Sequence, residues 1–189
     1  MKKGKMFFSI SLAVIVCTLI VAGTLAYLTD TQNKTNVFTV GKVGITLTEP
    51  NWDKGIEVSK DYAKIIPGKT IPKDPTVKLI ESSEPAYIRV KVTIPAALKS
   101  ILEDINVNEG WVLSKTVGND YYYEYKDSVT SASQIPSVFN EVVIQGAGAT
   151  NEKLEALKTS DLNITIVAQA IQSAGFTDST AAWKAFDGE

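Results

Sequence analysis

The side chains able to do chemistry in this chain are carboxylates and tyrosines, because histidine is absent and the one cysteine, Cys17, lies in an apolar N-terminal run. Glu81 and Glu84 bracket Ser82-Ser83, while Asp53, Glu57 and Asp61 follow Trp52. Oxygen-only sets of this kind suit calcium or magnesium better than zinc. Neither group has the Asp-x-Asp-x-Asp-Gly spacing of a calcium loop, so solvated loop acids are the plainer reading. Tyr121, Tyr122, Tyr123 and Tyr125, with Trp52, offer a second chemistry, an aromatic surface on which a sugar ring could stack. A strand sends Tyr121, Tyr123 and Tyr125 to one face and Tyr122 to the other, where tyrosine is a good strand former in its own right.

The missing imidazole excludes more than it leaves. Ser-His-Asp and Cys-His nucleophile systems and the His-Glu-x-x-His zinc site each need a histidine as base or ligand. No Asp-Thr-Gly marks an aspartic dyad. We therefore expect a protein that is not an enzyme, with no catalytic, cofactor-binding or metal-ligating residue to name. The formal net charge is −2, Arg89 is the only arginine, and the lysines are dispersed, so neither nucleic acid nor anionic lipid is an expected partner.

The N-terminus has the marks of export. Lys2, Lys3 and Lys5 precede an uncharged run from Met6 to Leu28, and Thr24-Leu25-Ala26 gives the small-x-small pattern of a signal-peptidase site. Cleavage between Ala26 and Tyr27 predicts a signal peptide over residues 1–26 and a secreted protein that begins at Tyr27. The alternative is an uncleaved membrane anchor, against which Gly23-Thr24 interrupts the apolar run. Val14-Ile15-Val16 lacks the small residues expected before a lipid-modified cysteine, so the processed chain carries no thiol and forms no disulfide.

Beyond Tyr27 the chain is long enough for one domain with a real core. Apolar residues recur with period two: Ile88, Val90, Val92 and Ile94 alternate with Tyr87, Arg89, Lys91 and Thr93, and Leu162, Ile164, Ile166, Ala168 and Ala170 repeat the pattern. Further strands are expected at Val37 to Val40, Val43 to Leu47, Val77 to Ile80, Trp111 to Thr116, Tyr121 to Tyr125 and Val138 to Ile144. Eight such strands suit a two-sheet sandwich. Glu49-Pro50-Asn51, Pro67-Gly68 and Lys73-Asp74-Pro75 read as turns, and Val117-Gly118-Asn119-Asp120 as a hairpin. Short helical insertions are expected at Pro95 to Leu102, at Asn151 to Leu157 behind Thr150, and at Thr180 to Phe186 behind Asp178 or Ser179. Trp111, Trp183 and Phe186 read as core, the last two pinning the final helix to a sheet.

Several blocks carry a resemblance. Gly23 to Asp30 leads into Asn36-Val37-Phe38-Thr39-Val40-Gly41-Lys42-Val43, followed by Leu47-Thr48-Glu49-Pro50-Asn51-Trp52, Ile66-Pro67-Gly68-Lys69-Thr70, Lys73-Asp74-Pro75 and Ala86 to Val92. Together they resemble the TasA/camelysin family of Gram-positive secreted proteins, over a stretch from the signal to about residue 94. The resemblance implies an all-β jelly-roll sandwich over residues 37–189 with short helical insertions, and export through a dedicated signal peptidase. It also implies an extended segment over residues 27–36 that leaves its own subunit and adds a strand to the next copy in a biofilm-matrix fibre. Tyr27, Leu28, Thr29, Asp30 and Thr31 are then the polymerisation residues, with the protein itself or related matrix proteins as partner. A strand donated head to tail does not close on itself and so builds filaments. The same segment also reads as a loose tail left by processing. A camelysin-like surface metalloprotease and a monomeric surface binding module are the alternative functions.

Overall fold

The computed structural model describes residues 41–59 and 62–188, within a unit that runs from Val40 to Glu189. Its strands are β1 (Ile45–Thr48), β2 (Thr70–Pro72), β3 (Thr76–Leu79), β4 (Ala86–Thr93), β5 (Trp111–Val117), β6 (Asp120–Tyr125), β7 (Glu141–Val143) and β8 (Thr165–Gln172). Its helices are α1 (Pro50–Val58), α2 (Ala96–Lys99), α3 (Asn151–Glu155) and α4 (Ser179–Asp187), with a 3₁₀ turn at Thr159–Leu162. The architecture is mostly β with a few short helices, and its sheets do not close into a barrel. The expected strand over Val37 to Val40 and the expected signal peptide lie outside the described residues.

β4 organises the fold. Its even-numbered side chains Ile88, Val90 and Val92 are fully buried, as the period-two pattern requires of a strand with one face on a core. β4 pairs antiparallel with β6 on one side and β8 on the other, giving the order β5-β6-β4-β8. On the core face Val90 stands opposite Tyr123 and Ala168, and Val92 opposite Tyr121 and Ile166. Two antiparallel pairs, β1-β3 and β2-β7, supply Val77, Leu79, Ile71 and Val142 to the same core. β5 and β6 meet at Gly118-Asn119, where Gly118 takes φ +60° and Asn119 does not go positive, the pattern of a type II′ hairpin turn.

The other face of β4 departs from the expected alternation. Arg89 belongs to the outward set yet is only 1 % exposed, because α4 lies over it. Its guanidinium makes a fork to Asp187, Nη1 to Oδ2 at 2.9 Å and Nη2 to Oδ1 at 2.6 Å, and Nε donates to Gln169 Oε1 at 2.9 Å. Trp183 and Tyr122 present ring faces to it at 4.4 and 5.1 Å. The planar guanidinium suits this site because it accepts a bidentate carboxylate and an aromatic face at once. Asp178 caps α4 by accepting from Ala181 N, and Trp183 is buried as the sequence predicts, whereas Phe186, expected in the core, is 44 % exposed and meets Trp183 edge to face.

A bulge in β5 completes this cluster. The register slips between Leu113 and Lys115, so Lys115 comes opposite Tyr122 on the outer face and reaches Asp187 Oδ2 at 2.5 Å. Without the extra residue Lys115 would point toward the core face.

The Arg89 hydrogen bonds, joined by those of Lys115, hold the Asp187 carboxyl well below the usual carboxylate range. A carboxyl depressed in the folded state contributes stability above its unfolded value of ~3.9 and loses it as pH falls through the folded value. Urea titrations should therefore show stability declining from about pH 5 downward, with this component missing in Asp187→Asn. At pH 7 Asp187→Asn should cost about 3 kcal/mol, the low end for a broken buried pair because Asp187 is partly exposed.

Candidate functional site

The blocks Glu49-Pro50-Asn51-Trp52 and Lys73-Asp74-Pro75, about 23 residues apart in sequence, meet in space. Lys73-Asp74-Pro75 connects β2 to β3 as the sequence suggests, but Glu49-Pro50-Asn51 is not the turn expected there. Pro50 opens α1 at a position where proline is pre-organised for a helix, and Asp53 in the first turn suits the helix dipole. Glu49, the residue before the helix, does not cap it with its side chain. Asp74, arriving from beyond β2, does so: Oδ1 accepts from Asn51 N at 2.9 Å and from Trp52 N at 3.3 Å. A buried carboxylate is thereby satisfied by the backbone donors of a helix start.

Lys73 is the second half of this corner. It is 5 % exposed, with its ammonium 2.9 Å from Glu49 Oε2 and 4.5 Å from the centre of the Trp52 ring. A desolvated ammonium needs both a counter-charge and an aromatic face, and it has them. Trp52 in turn meets Tyr62 edge to face at 5.9 Å. The Tyr62 hydroxyl donates to Asn51 O at 3.2 Å and Pro72 O at 3.3 Å, and burial, with the Asp74 charge second, raises its pKa. The Tyr62 ring lies over Gly55, where an added Cβ would come within 2.0 Å of ring carbon. That contact explains a glycine inside a helix.

Beside the corner is a cavity of about 640 Å³. Apolar side chains from several segments build its walls, among them Ile71 of β2, Leu98 of α2, Val142 of β7, Leu154 of α3 and Ile164 just before β8. Glu49, Trp52 and Lys73 line its polar end. The volume falls in the range of small-ligand sites, and an apolar interior with a few convergent polar groups is their usual make-up. Glu49 Oε1 is buried and has no hydrogen-bond partner among the described residues.

The residues singled out in the sequence fall elsewhere. Ala26, Tyr27, Leu28, Thr29, Asp30 and Thr31 lie outside the described residues, as does Asp61. Asp53 and Glu57 are exposed on α1, a helix where the sequence suggested a loop. Glu81 and Glu84 are exposed at a turn that Ser83 N closes by donating to Ile80 O, while Ser83 Oγ accepts from Gly44 N. The tyrosine run packs as alternation dictates: Tyr123 is buried, Tyr125 meets Trp111 edge to face at 5.3 Å, and Tyr122 sits under Arg89 and Lys115 on the opposite face. Glu49, Lys73 and Asp74 went unassigned in the sequence, although the proline at a helix start followed by Asp53 was a signal for α1.

Two outcomes are expected. Gly55→Ala, which in an ordinary helix stabilises by about 0.5–1 kcal/mol, should destabilise here, and combining it with Tyr62→Ala should restore the ordinary sign in a thermal double-mutant cycle. Burial, with the charges of Tyr121 and Asp104 secondary, pushes the Tyr123 phenol up to about 12. Stability should fall as pH rises from the unfolded value of ~10 through the folded one, and Tyr123→Phe should lack that fall in alkaline unfolding curves.

Comparison with known proteins bears on this corner. A family model described as camelysin metallo-endopeptidase matches residues 1–82. No curated protein and no solved structure matches the chain. The family description implies a metal, and the donors present do not fit a catalytic zinc: the chain has no histidine, and among the described residues no three acidic or cysteine side chains converge. Glu49 and Asp74 are instead engaged by an ammonium and by helix N–H groups. The match covers the blocks that carry the sequence resemblance up to Lys73-Asp74-Pro75, and residues 1–82, the corner of Glu49, Trp52, Lys73 and Asp74 included, are similar to that family.

Proposed function

We propose that this chain is a secreted structural protein, a fibre-forming subunit of the extracellular or cell-surface matrix, built on a jelly-roll-type sandwich. In this reading residues 1–26 direct export and are removed between Ala26 and Tyr27 by a dedicated signal peptidase. The segment from Tyr27 to Thr35 then adds a strand to the sheet of another copy or of a related matrix protein. The observation that carries the reading is the sheet itself: the order β5-β6-β4-β8 leaves β5 and β8 with one unpaired edge each among the described residues. Such an edge is a template for an incoming extended segment, which gains main-chain hydrogen bonds. The family match over residues 1–82 supports the same reading.

The name of the matched family favours a second reading, a cell-surface protease. Proteolysis that persists after rigorous purification, and is lost with substitutions of this chain's own acidic residues, would establish it. For the structural reading, purified protein beginning at Tyr27 and protein beginning at Asn36 are incubated at high concentration and viewed by electron microscopy. Filaments are expected in the first sample alone; globular particles in both would overturn self-assembly.

A further inference from the structure

The cavity next to Glu49 grades from a wet mouth to a dry floor. Lys64, Leu162 and Asn163 on its lining are exposed, whereas Ile71, Leu102 and Ile144 are almost fully buried. The charges on that lining do not cancel. Asp74 is engaged by the N–H groups of α1 and does not line the cavity, while Glu49 and Lys73 answer each other at 2.9 Å. Lys64 is then left at the mouth, its ammonium without an ion-pair partner among the described residues, and the lining is net positive. An anionic head joined to an apolar body is the complement of such a site.

The walls narrow the class further. Among the described residues that line the cavity, Trp52 is the one aromatic, and its ring already serves the Lys73 ammonium and meets Tyr62. A flat aromatic ligand would find no second ring to stack on, whereas a flexible alkyl chain packs against Ile, Leu and Val and gains free energy with each methylene buried. The head is set by the single ammonium at the mouth. A carboxylate matches it one to one, while a phosphate monoester brings about −1.5 to −2 at pH 7. We propose that the cavity binds a free single-chain fatty acid, its alkyl chain directed toward Ile71, Leu102 and Ile144 and its carboxylate held at the mouth by Lys64. The exposed ion pair selects the head, and the buried chain supplies most of the affinity. The site needs neither sheet edge nor the segment from Tyr27 to Thr35, so it stands or falls apart from the fibre reading.

The test is isothermal calorimetry of the protein beginning at Tyr27 with octanoate, decanoate and 1-decanol, each kept below its micelle or solubility limit. Decanoate should bind about ten-fold more tightly than octanoate, because two further methylenes are buried. It should bind about three-fold more tightly than 1-decanol, which has the chain without the charge. Replacing the exposed lysine should weaken decanoate about three-fold in Lys64→Ala and about ten-fold in Lys64→Glu, with 1-decanol unchanged in both. Leu154→Trp, which fills the space, should abolish binding in protein that circular dichroism melts show to be folded. Absence of decanoate binding, equal affinity for octanoate and decanoate, or unchanged decanoate affinity in Lys64→Glu or in folded Leu154→Trp would each overturn the proposal. So would co-sedimentation with phosphatidylglycerol vesicles that Leu154→Trp abolishes and decanoate does not compete for, a result that assigns the cavity to a membrane lipid instead.

Discussion

The Lys73 ammonium, withdrawn from water and held between the Glu49 carboxylate and the Trp52 ring, is the interaction on which the corner of this fold depends. A lysine at 5 % exposure is tolerable only with a counter-charge in place, so the residue that enters α1 has to lie against the end of β2. Asp74, the next residue along, reaches the start of the same helix and satisfies its N–H groups. Adjacent side chains thus bind the two sides of one junction. That junction forms the polar end of the cavity, whose apolar walls come from segments distant in sequence.

The same physical solution recurs on the other side of the molecule. Arg89, the only arginine, is likewise buried against a carboxylate and aromatic faces, and there it closes α4 onto the outer face of the four-stranded sheet. With neither disulfide nor histidine ligand, the described unit places its two most buried cations where short segments must be held to a sheet. The difference between them lies in the partners. Both oxygens of Asp187 are engaged, by Arg89 and Lys115, whereas one oxygen of Glu49 is not.

What the sequence revealed follows the same division between local and distant causes. β4 and most of β8 were legible because alternation is a local property that burial of one face imposes. The three expected helices were legible from Pro95, Thr150 and Asp178 at their starts, and the Gly118-Asn119 hairpin from its turn residues. β2 was missed because three residues ending in Pro72 show no periodicity, and α1 because Pro50 serves a turn and a helix start equally well. The pattern was carried too far at Leu162, which belongs to a 3₁₀ turn rather than to the strand. Burial of Arg89 and the bulge that re-aims Lys115 depend on tertiary neighbours, as does the cavity, whose walls span residues 49 to 164. Of the candidate site, the family blocks were visible as sequence, and their convergence was not.

The most direct test of strand addition is amide hydrogen exchange, measured on the protein before and after assembly. Addition at a sheet edge predicts new protection at the outward-facing amides of one edge strand, Trp111 to Val117 or Thr165 to Gln172. Protection gained on neither strand would contradict it.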